Sequence, residues 1–507
     1  MLGWLADFFR LAWGLLYWNT RKSLFQLRRG RMRCPCQSSS DSGRAMETRC
    51  DACLHWAKPS RFKRVCPLLV DTPDGLRCSA DSADVRPFWN ITGRYYGGTL
   101  AAIYAAGVIG VFAFLRTVGY PISIVHVAWP GLWYRIPQAR GWFYVERANR
   151  AFAAGRTSEG VLYLVNAYQF DPANYAVGLS LARQYQLLQP GMSDQLFQRL
   201  MRDFPEHRDG TAQDWYRALL VRGDFRKAAQ LAAKEILSDP VHANVWTRGL
   251  LFTTQRNLDD QPLRGLLASA APEARPWRQV LETELLMRAK RTAEARAALG
   301  RKWPMQAPPF TIFYQAATLA SLGTFDDIVG ALDLLSRRDN PLPQNTRYTL
   351  ELDILAAADS RKLLLSRVDQ LLAQPMHGVE MLPTFTLLSA HLIRFPDQEI
   401  FLRLMSRVGR ERIPFDNNSA GVWFSLICAA GAVGDQARLH VMTVQLRQAA
   451  HASFAALGAV EAFFRGQSAA RRATSFLPIL PLPLEVTYAM LERYPGPATA
   501  PTPVKRP

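Results

Sequence analysis

The chain has 507 residues, 49% of them hydrophobic, and a formal net charge of +19. That length excludes a single compact domain and the apolar fraction is ample for a buried core, so several domains or a repeat array are expected. The charge would suit an anionic partner, but it is uneven: residues 1–96 carry 16 Lys and Arg against 8 Asp and Glu, and six of the seven cysteines lie between Cys34 and Cys78.

Residues 1–20 open with MLGWLADFFRLAWGLLYW, an aromatic and leucine-rich run interrupted by Asp7 and Arg10. A spanning helix would have to hide both charges, whereas a helix lying in the headgroup plane keeps Leu5, Phe8, Phe9, Trp13 and Leu16 on one lipid-facing side. The next stretch, Arg21 to Arg33, has six Lys or Arg and no acid. Each such cation gains roughly 1 kcal/mol near an anionic leaflet. A secretory signal would place its charges before the apolar run and end in a small-residue cleavage site, and neither is found here. Residues 1–33 are therefore expected on lipid, as the start of a basic, cysteine-rich module over residues 21–96.

Gly97 to Leu115 is uncharged for nineteen positions and reads as a transmembrane helix over residues 97–116. At 1.5 Å per residue such a run crosses roughly the hydrocarbon core. Aromatic residues flank it on both sides, from Trp89, Tyr95 and Tyr96 before it to Tyr120, Trp129, Trp133 and Tyr134 after it. Gly98, Ala102, Ala106 and Gly110 recur every fourth residue and give one smooth face on which a homodimer could pack. Residues 117–139, with Pro121 and Pro130, read as an extended interfacial connector.

From residue 140 the pattern becomes helix, turn, helix. A first helix ends at Ala153-Ala154-Gly155, a second carries Gly160, Leu164 and Ala167, and Asp171-Pro172 stops it. Further stops at Phe204-Pro205 and Asp239-Pro240 give proline spacings of 33 and 35 residues. The clearest turn is Arg222-Gly223-Asp224-Phe225, followed by Lys227-Ala228-Ala229, and similar turns stand at Leu322-Gly323-Thr324-Phe325 and Ala432-Val433-Gly434-Asp435. Together these features resemble the tetratricopeptide repeat (TPR), whose period is roughly 34 residues. Each has a mechanical role: glycine supplies a left-handed helix end, the small residue admits the neighbouring helix, and proline begins the next turn. Arg291 to Leu299 and Tyr348 to Leu372 keep helical apolar spacing but lack the proline stops, and Trp215 and Tyr216 stand a few residues from the family's aromatic position, which points to a shortened first helix there. The expected fold is all-α: a TPR-like helical-hairpin solenoid over residues 140–465, one transmembrane helix and a small N-terminal Cys-rich module. Residues 466–507 read as a C-terminal extension ending in a disordered proline-rich tail.

The cysteines run Cys34-Pro-Cys36, Cys50-x-x-Cys53, Cys66 and Cys78. A CxxC pair puts two thiolates on one tight turn, and a second pair can complete a tetrahedral zinc site. Cys34, Cys36, Cys50 and Cys53 are the zinc candidates, because a basic module poor in apolar residues needs a staple. Disulfides and free thiols are the alternatives. The phosphate-binding, zinc-protease, nucleophile-elbow and dinucleotide motifs are absent from the sequence, which gives no support for an enzyme. The basic run sits between two lipid-seeking segments, so headgroups are a nearer anion than nucleic acid.

Family spacing implies that Asn149, Tyr185, Gln186 and Arg217 line a concave groove that holds a peptide or partner helix. The expected function is a membrane-tethered scaffold that binds other proteins and assembles an envelope complex. A zinc-dependent cytoplasmic sensor or nucleic-acid module coupled to the membrane, and a membrane enzyme with a repeat appendage, are the two rival classes. The cation bias before Gly97 places residues 1–96 in the cytoplasm and the repeats outside it, as in a single-pass protein of a bacterial inner membrane.

Overall fold

The computed structural model describes residues 97–495 apart from 258, 302, 304–307, 338, 412, 415, 417, 451–453 and 467–472, together with Leu16 and one pair of strands. The strands are β1 (Leu69–Thr72) and β2 (Gly75–Cys78), antiparallel with Leu69 opposite Cys78 and Thr72 opposite Gly75. They place Cys78 at the end of a hairpin and are the only strands among the described residues. The remainder is helical. Apart from Leu16 the expected interfacial helix over 1–20 lies outside the described residues, as do Cys34, Cys36, Cys50, Cys53 and the tail from 496.

The chain divides into two compact units, residues 1–171 and 172–507. In the first unit, α1 (Gly98–Val118) is stopped by Gly119, which takes a left-handed φ of +97° and donates to the Arg116 carbonyl. Residues Leu100–Val118 are long and apolar enough to cross a membrane, and almost none of that stretch is covered by protein. The following segment is folded, not extended. Ser123 and His126 cap α2 (Ile124–Ala128) reciprocally, Pro130 opens a single 3-10 turn, and α3 (Arg135–Ala153) starts at once. Both prolines sit where no backbone donor is needed, which is why they shape the path without breaking it. A tight turn at Gly155 leads to α4 (Thr157–Phe170), which packs antiparallel on α3. Tyr144 stacks on Phe170 with ring centroids 5.6 Å apart, and the Arg140 guanidinium lies 4.1 Å from the same ring. The sequence-predicted small positions are the packed ones: Gly160 faces Phe152, and Leu164 and Ala167 are buried.

The second unit is a succession of paired helices. In chain order these are α5 (Tyr175–Leu188), α6 (Pro190–Asp203), α7 (Arg208–Arg222), α8 (Phe225–Ser238), α9 (Ala243–Thr254), α10 (Gln261–Ala268), α11 (Arg278–Arg288), α12 (Thr292–Leu299) and α13 (Pro309–Ser321). They continue as α14 (Phe325–Ser336), α15 (Gln344–Ala357), α16 (Arg361–Leu372), α17 (Leu382–Arg394), α18 (Gln398–Glu411), α19 (Ala420–Val433), α20 (Gln436–Ala450), α21 (Phe454–Phe464) and α22 (Leu484–Arg493). Asn174, Asp224 and Thr324 cap α5, α8 and α14 by accepting from backbone N–H groups three residues on, each at 3.2 or 3.3 Å. α7 runs its full fifteen residues. The expected shortening does not occur, because Trp215 and Tyr216 both find buried places on it.

One turn geometry recurs between helices of a pair. At Gly223 the N–H donates to Leu220 while the next N–H reaches back to Leu219, closing a Schellman end. The same two bonds form at Gly155 and Gly434, and also at Lys290 and Asp359, the only non-glycine residues with positive φ among those described (58° and 53°). Lys290 and Asp359 join α11 to α12 and α15 to α16, two pairs whose turns carry no glycine in the sequence. α19 is buried from Val422 to Gly431, so its apolar run serves the core; at fourteen residues it is also too short to span a bilayer.

Candidate functional site

The groove residues predicted from sequence fall in both units. Asn149 is exposed on α3 of the first unit; Tyr185 and Gln186 are half-buried on α5 of the second. Arg217, on α7, is engaged within the chain. Its guanidinium donates to the Leu480 carbonyl at 2.8 Å, and burial pulls its pKa below the ordinary arginine value.

Leu480 belongs to a returning segment that the sequence gives no reason to place inside. After a 3-10 turn at Leu477–Ile479 the chain runs through Pro481 and Pro483 into α22, and Val486 to Leu491 are buried without a break. α22 packs along α17 and against earlier helices as well. The Tyr488 ring sits 4.2 Å from Phe252 on α9, and its hydroxyl donates to Tyr216 at 3.3 Å. Tyr216 in turn donates to the Gly249 carbonyl at 2.8 Å. Burial raises the pKa of both phenols, so they stay neutral hydrogen-bonding groups. Where an open repeat array would leave a groove, this unit holds its own C-terminal helix.

A cleft of about 780 Å³ remains beside that helix, lined by α9, α11, α13, α15, α17 and α22. Its floor is a chain of opposite charges. Arg248 pairs in bidentate fashion with Glu485, and Arg394 donates to Glu492 at 2.5 Å and to Asp353 at 3.2 Å. His391 Nδ1 lies 2.6 Å from the other Asp353 oxygen. Burial opposes charge on Asp353 and Arg394, but their mutual attraction outweighs it: the Asp353 carboxyl sits below the usual range and Arg394 is held protonated. Glu284 differs. Burial raises its pKa although Tyr314 donates to it at 2.9 Å, because the nearest guanidinium, Arg288, is directed to the Thr254 and Asn257 carbonyls. Thr318, Ser321, Thr346 and Thr349 add hydroxyls along one wall, while Leu251, Phe313, Leu350 and Ile354 supply apolar surface.

No family model matches the chain, and no curated protein matches it in sequence. The ion pairs of the cleft satisfy one another, which suits a rigid recognition wall.

Two further polar clusters stand apart from it. Asp194, on α6, accepts from Trp215 Nε1 at 2.9 Å, Arg222 at 2.7 Å and Lys227 at 3.0 Å. Burial alone would raise its pKa, but these three donors bring it below the ordinary carboxylate value and tie α6, α7 and α8 together. Asp209, Asp239 and His242 bring three metal-type ligand atoms within 4.8 Å. They also close the turn before α9: Asp239 accepts from the His242 backbone at 3.3 Å and from its ring at 2.7 Å, and that bond raises the imidazole pKa. Cys428 is a free, fully buried thiol whose pKa burial pushes up to about 12, so it is unsuited to metal binding or redox chemistry at neutral pH.

Proposed function

We propose that this chain is a membrane-tethered, TPR-like scaffold that binds a segment of another protein in the cleft of its second unit. The observation that carries this reading is the lining: five successive alternate helices, α9 to α17, each present side chains to one continuous trough. An extended segment laid along it would meet each helix in turn, with hydroxyls and amide groups for its backbone and apolar surface for its side chains. The volume lies within the range of pockets that bury most of a small ligand or short peptide. The turn geometry shared by five helix pairs supports the repeat resemblance, and Leu100–Val118 supports the tether. In this proposal the cation bias puts the repeats on the non-cytoplasmic side of a bacterial inner membrane, where they organise an envelope complex.

The test is quantitative co-purification after mild crosslinking in intact cells, comparing the wild-type chain with Ala317→Trp, which fills the cleft wall, and Val241→Trp on an exposed turn. The expected result is a partner lost with Ala317→Trp and kept with Val241→Trp. A partner retained by both, or a chain recovered alone, overturns the proposal.

A further inference from the structure

After α1 the chain doubles back along it. Gly119 ends the helix in a left-handed turn, and the next N–H, of Tyr120, reaches back to the Leu115 carbonyl at 3.0 Å. Residues 120–123 are not helical, α2 follows, and the Ala128 carbonyl then accepts from the Tyr104 hydroxyl. Tyr104 lies fourteen residues before the end of α1, so at 1.5 Å per residue the return reaches about 21 Å back along the helix. Four non-helical residues and five helical ones can reach at most about that distance, at roughly 3.3 and 1.5 Å each. Between the two runs, Leu115, Tyr120, Ile122, Val127 and Ala139 form a buried cluster with Val108, Phe112, Ile136 and Phe143. α3 then climbs back, and Phe143 meets Tyr120 edge-on at 5.1 Å.

Three properties of this loop are those a segment in hydrocarbon needs. It has no Asp, Glu, Lys or Arg from Thr117 to Tyr134, and charge resumes only at Arg135. Two carbonyls left open at the end of α2 are covered, Ala128 by Tyr104 and Val127 by Trp133 Nε1 at 2.9 Å, while Pro121 and Pro130 have no N–H to satisfy. Its large outward side chains are apolar or aromatic: Ile124, Val125, Trp129, Trp133 and Tyr134 are 44 to 66% exposed, as are Ile109, Val111 and Phe114 of α1. Backbone away from regular helix survives at membrane depth only when it is satisfied within the protein, and water at an exposed surface would make such provision unnecessary.

We infer that residues 119–134 are a re-entrant wedge, entering and leaving the lipid by the leaflet from which α1 emerges, with Trp129 and Val125 against acyl chains. This rests on the membrane-tether reading. The full-length chain, carrying photoreactive p-benzoylphenylalanine in place of Ile109, Trp129 or Val241, is reconstituted in vesicles of phosphatidylcholine and phosphatidylglycerol, irradiated, and examined by mass spectrometry for acyl-chain adducts. The expected result is lipid adducts at 109 and 129 in comparable yield and their loss at 241. Adducts at 109 without any at 129 overturn the wedge and leave the tether standing. No adduct at 109 removes the tether itself, and the wedge with it.

Discussion

Replacing Tyr488 by alanine tests whether α22 is an interior element of the second unit. The side chain is 1% exposed, so its removal returns to water the equivalent of a fully buried ring. At roughly 150 Å² and about 25 cal/mol per Å² that is about 4 kcal/mol. The ring contact with Phe252, centroids 4.2 Å apart, adds about 0.5 kcal/mol or more. Loss of the hydroxyl adds little, because Tyr216 keeps its bond to the Gly249 carbonyl and is not left unsatisfied. The sum, about 4–5 kcal/mol, falls in the range of large aromatic truncations in well-packed cores. For a unit of 336 residues, 172–507, unfolding with a slope of about 4 kcal/mol per M in urea, the midpoint should drop by about 1 M. The assay is tryptophan fluorescence of the full chain in detergent, with Val241→Ala as the exposed control. A drop below about 0.3 M would refute the interior placement of α22.

Other outcomes follow from the same geometry. Glu284 has a folded pKa above its unfolded value, so its contribution is fully present below pH ~4 and is lost as pH rises through the folded value. Glu284→Gln should therefore raise Tm at pH 7.5 and leave it unchanged near pH 4; a lower Tm at pH 7.5 with none near pH 4 would show that the charge is needed. At the helix-pair turns, Gly223→Ala should cost about 1 kcal/mol and Lys290→Gly should gain a similar amount, read from chemical denaturation. Equal signs for the two would reject the shared left-handed turn. Asp194→Ala strands the largely buried Arg222 and should cost roughly 3 kcal/mol. By contrast Lys227→Ala, at a half-exposed partner, should cost less than about 1 kcal/mol. If Cys34, Cys36, Cys50 and Cys53 hold zinc, the full chain purified under reducing conditions will carry stoichiometric metal that Cys50→Ser loses; a metal-free chain under those conditions would dismiss the site.

The parts of the fold legible in sequence are those written locally. Gly155, Gly223, Gly323 and Gly434 mark turns because all four need positive φ, and each has it. The α11–α12 and α15–α16 turns were hidden because Lys290 and Asp359 adopt the same conformation without the residue that announces it. Trp215 and Tyr216 misled through spacing alone: their anchors, Asp194 and Gly249, lie on neighbouring helices. The cleft was invisible for a stronger form of that reason. Arg248 with Glu485, Arg217 with Leu480 and Tyr488 with Tyr216 are joined across 237, 263 and 272 residues, beyond any periodic pattern. The return after α1 was concealed by its two prolines, which suggest an open chain where they in fact start turns.

The placement of α22 changes how the second unit must come apart. In an open array each hairpin touches only its neighbours, and end units can fray or be trimmed one at a time. A latch joining α7, α9 and α17 to the last helix turns that line into a closed circuit, so no hairpin in between can peel away alone. Melting should be abrupt, and shortening the chain from its C-terminal side should fail in one step rather than by degrees. During synthesis the early hairpins must also wait, incompletely covered, until residues 477–493 have left the ribosome, an interval of tens of seconds at roughly 5–20 residues per second. For a chain of this length that delay is when a chaperone matters most.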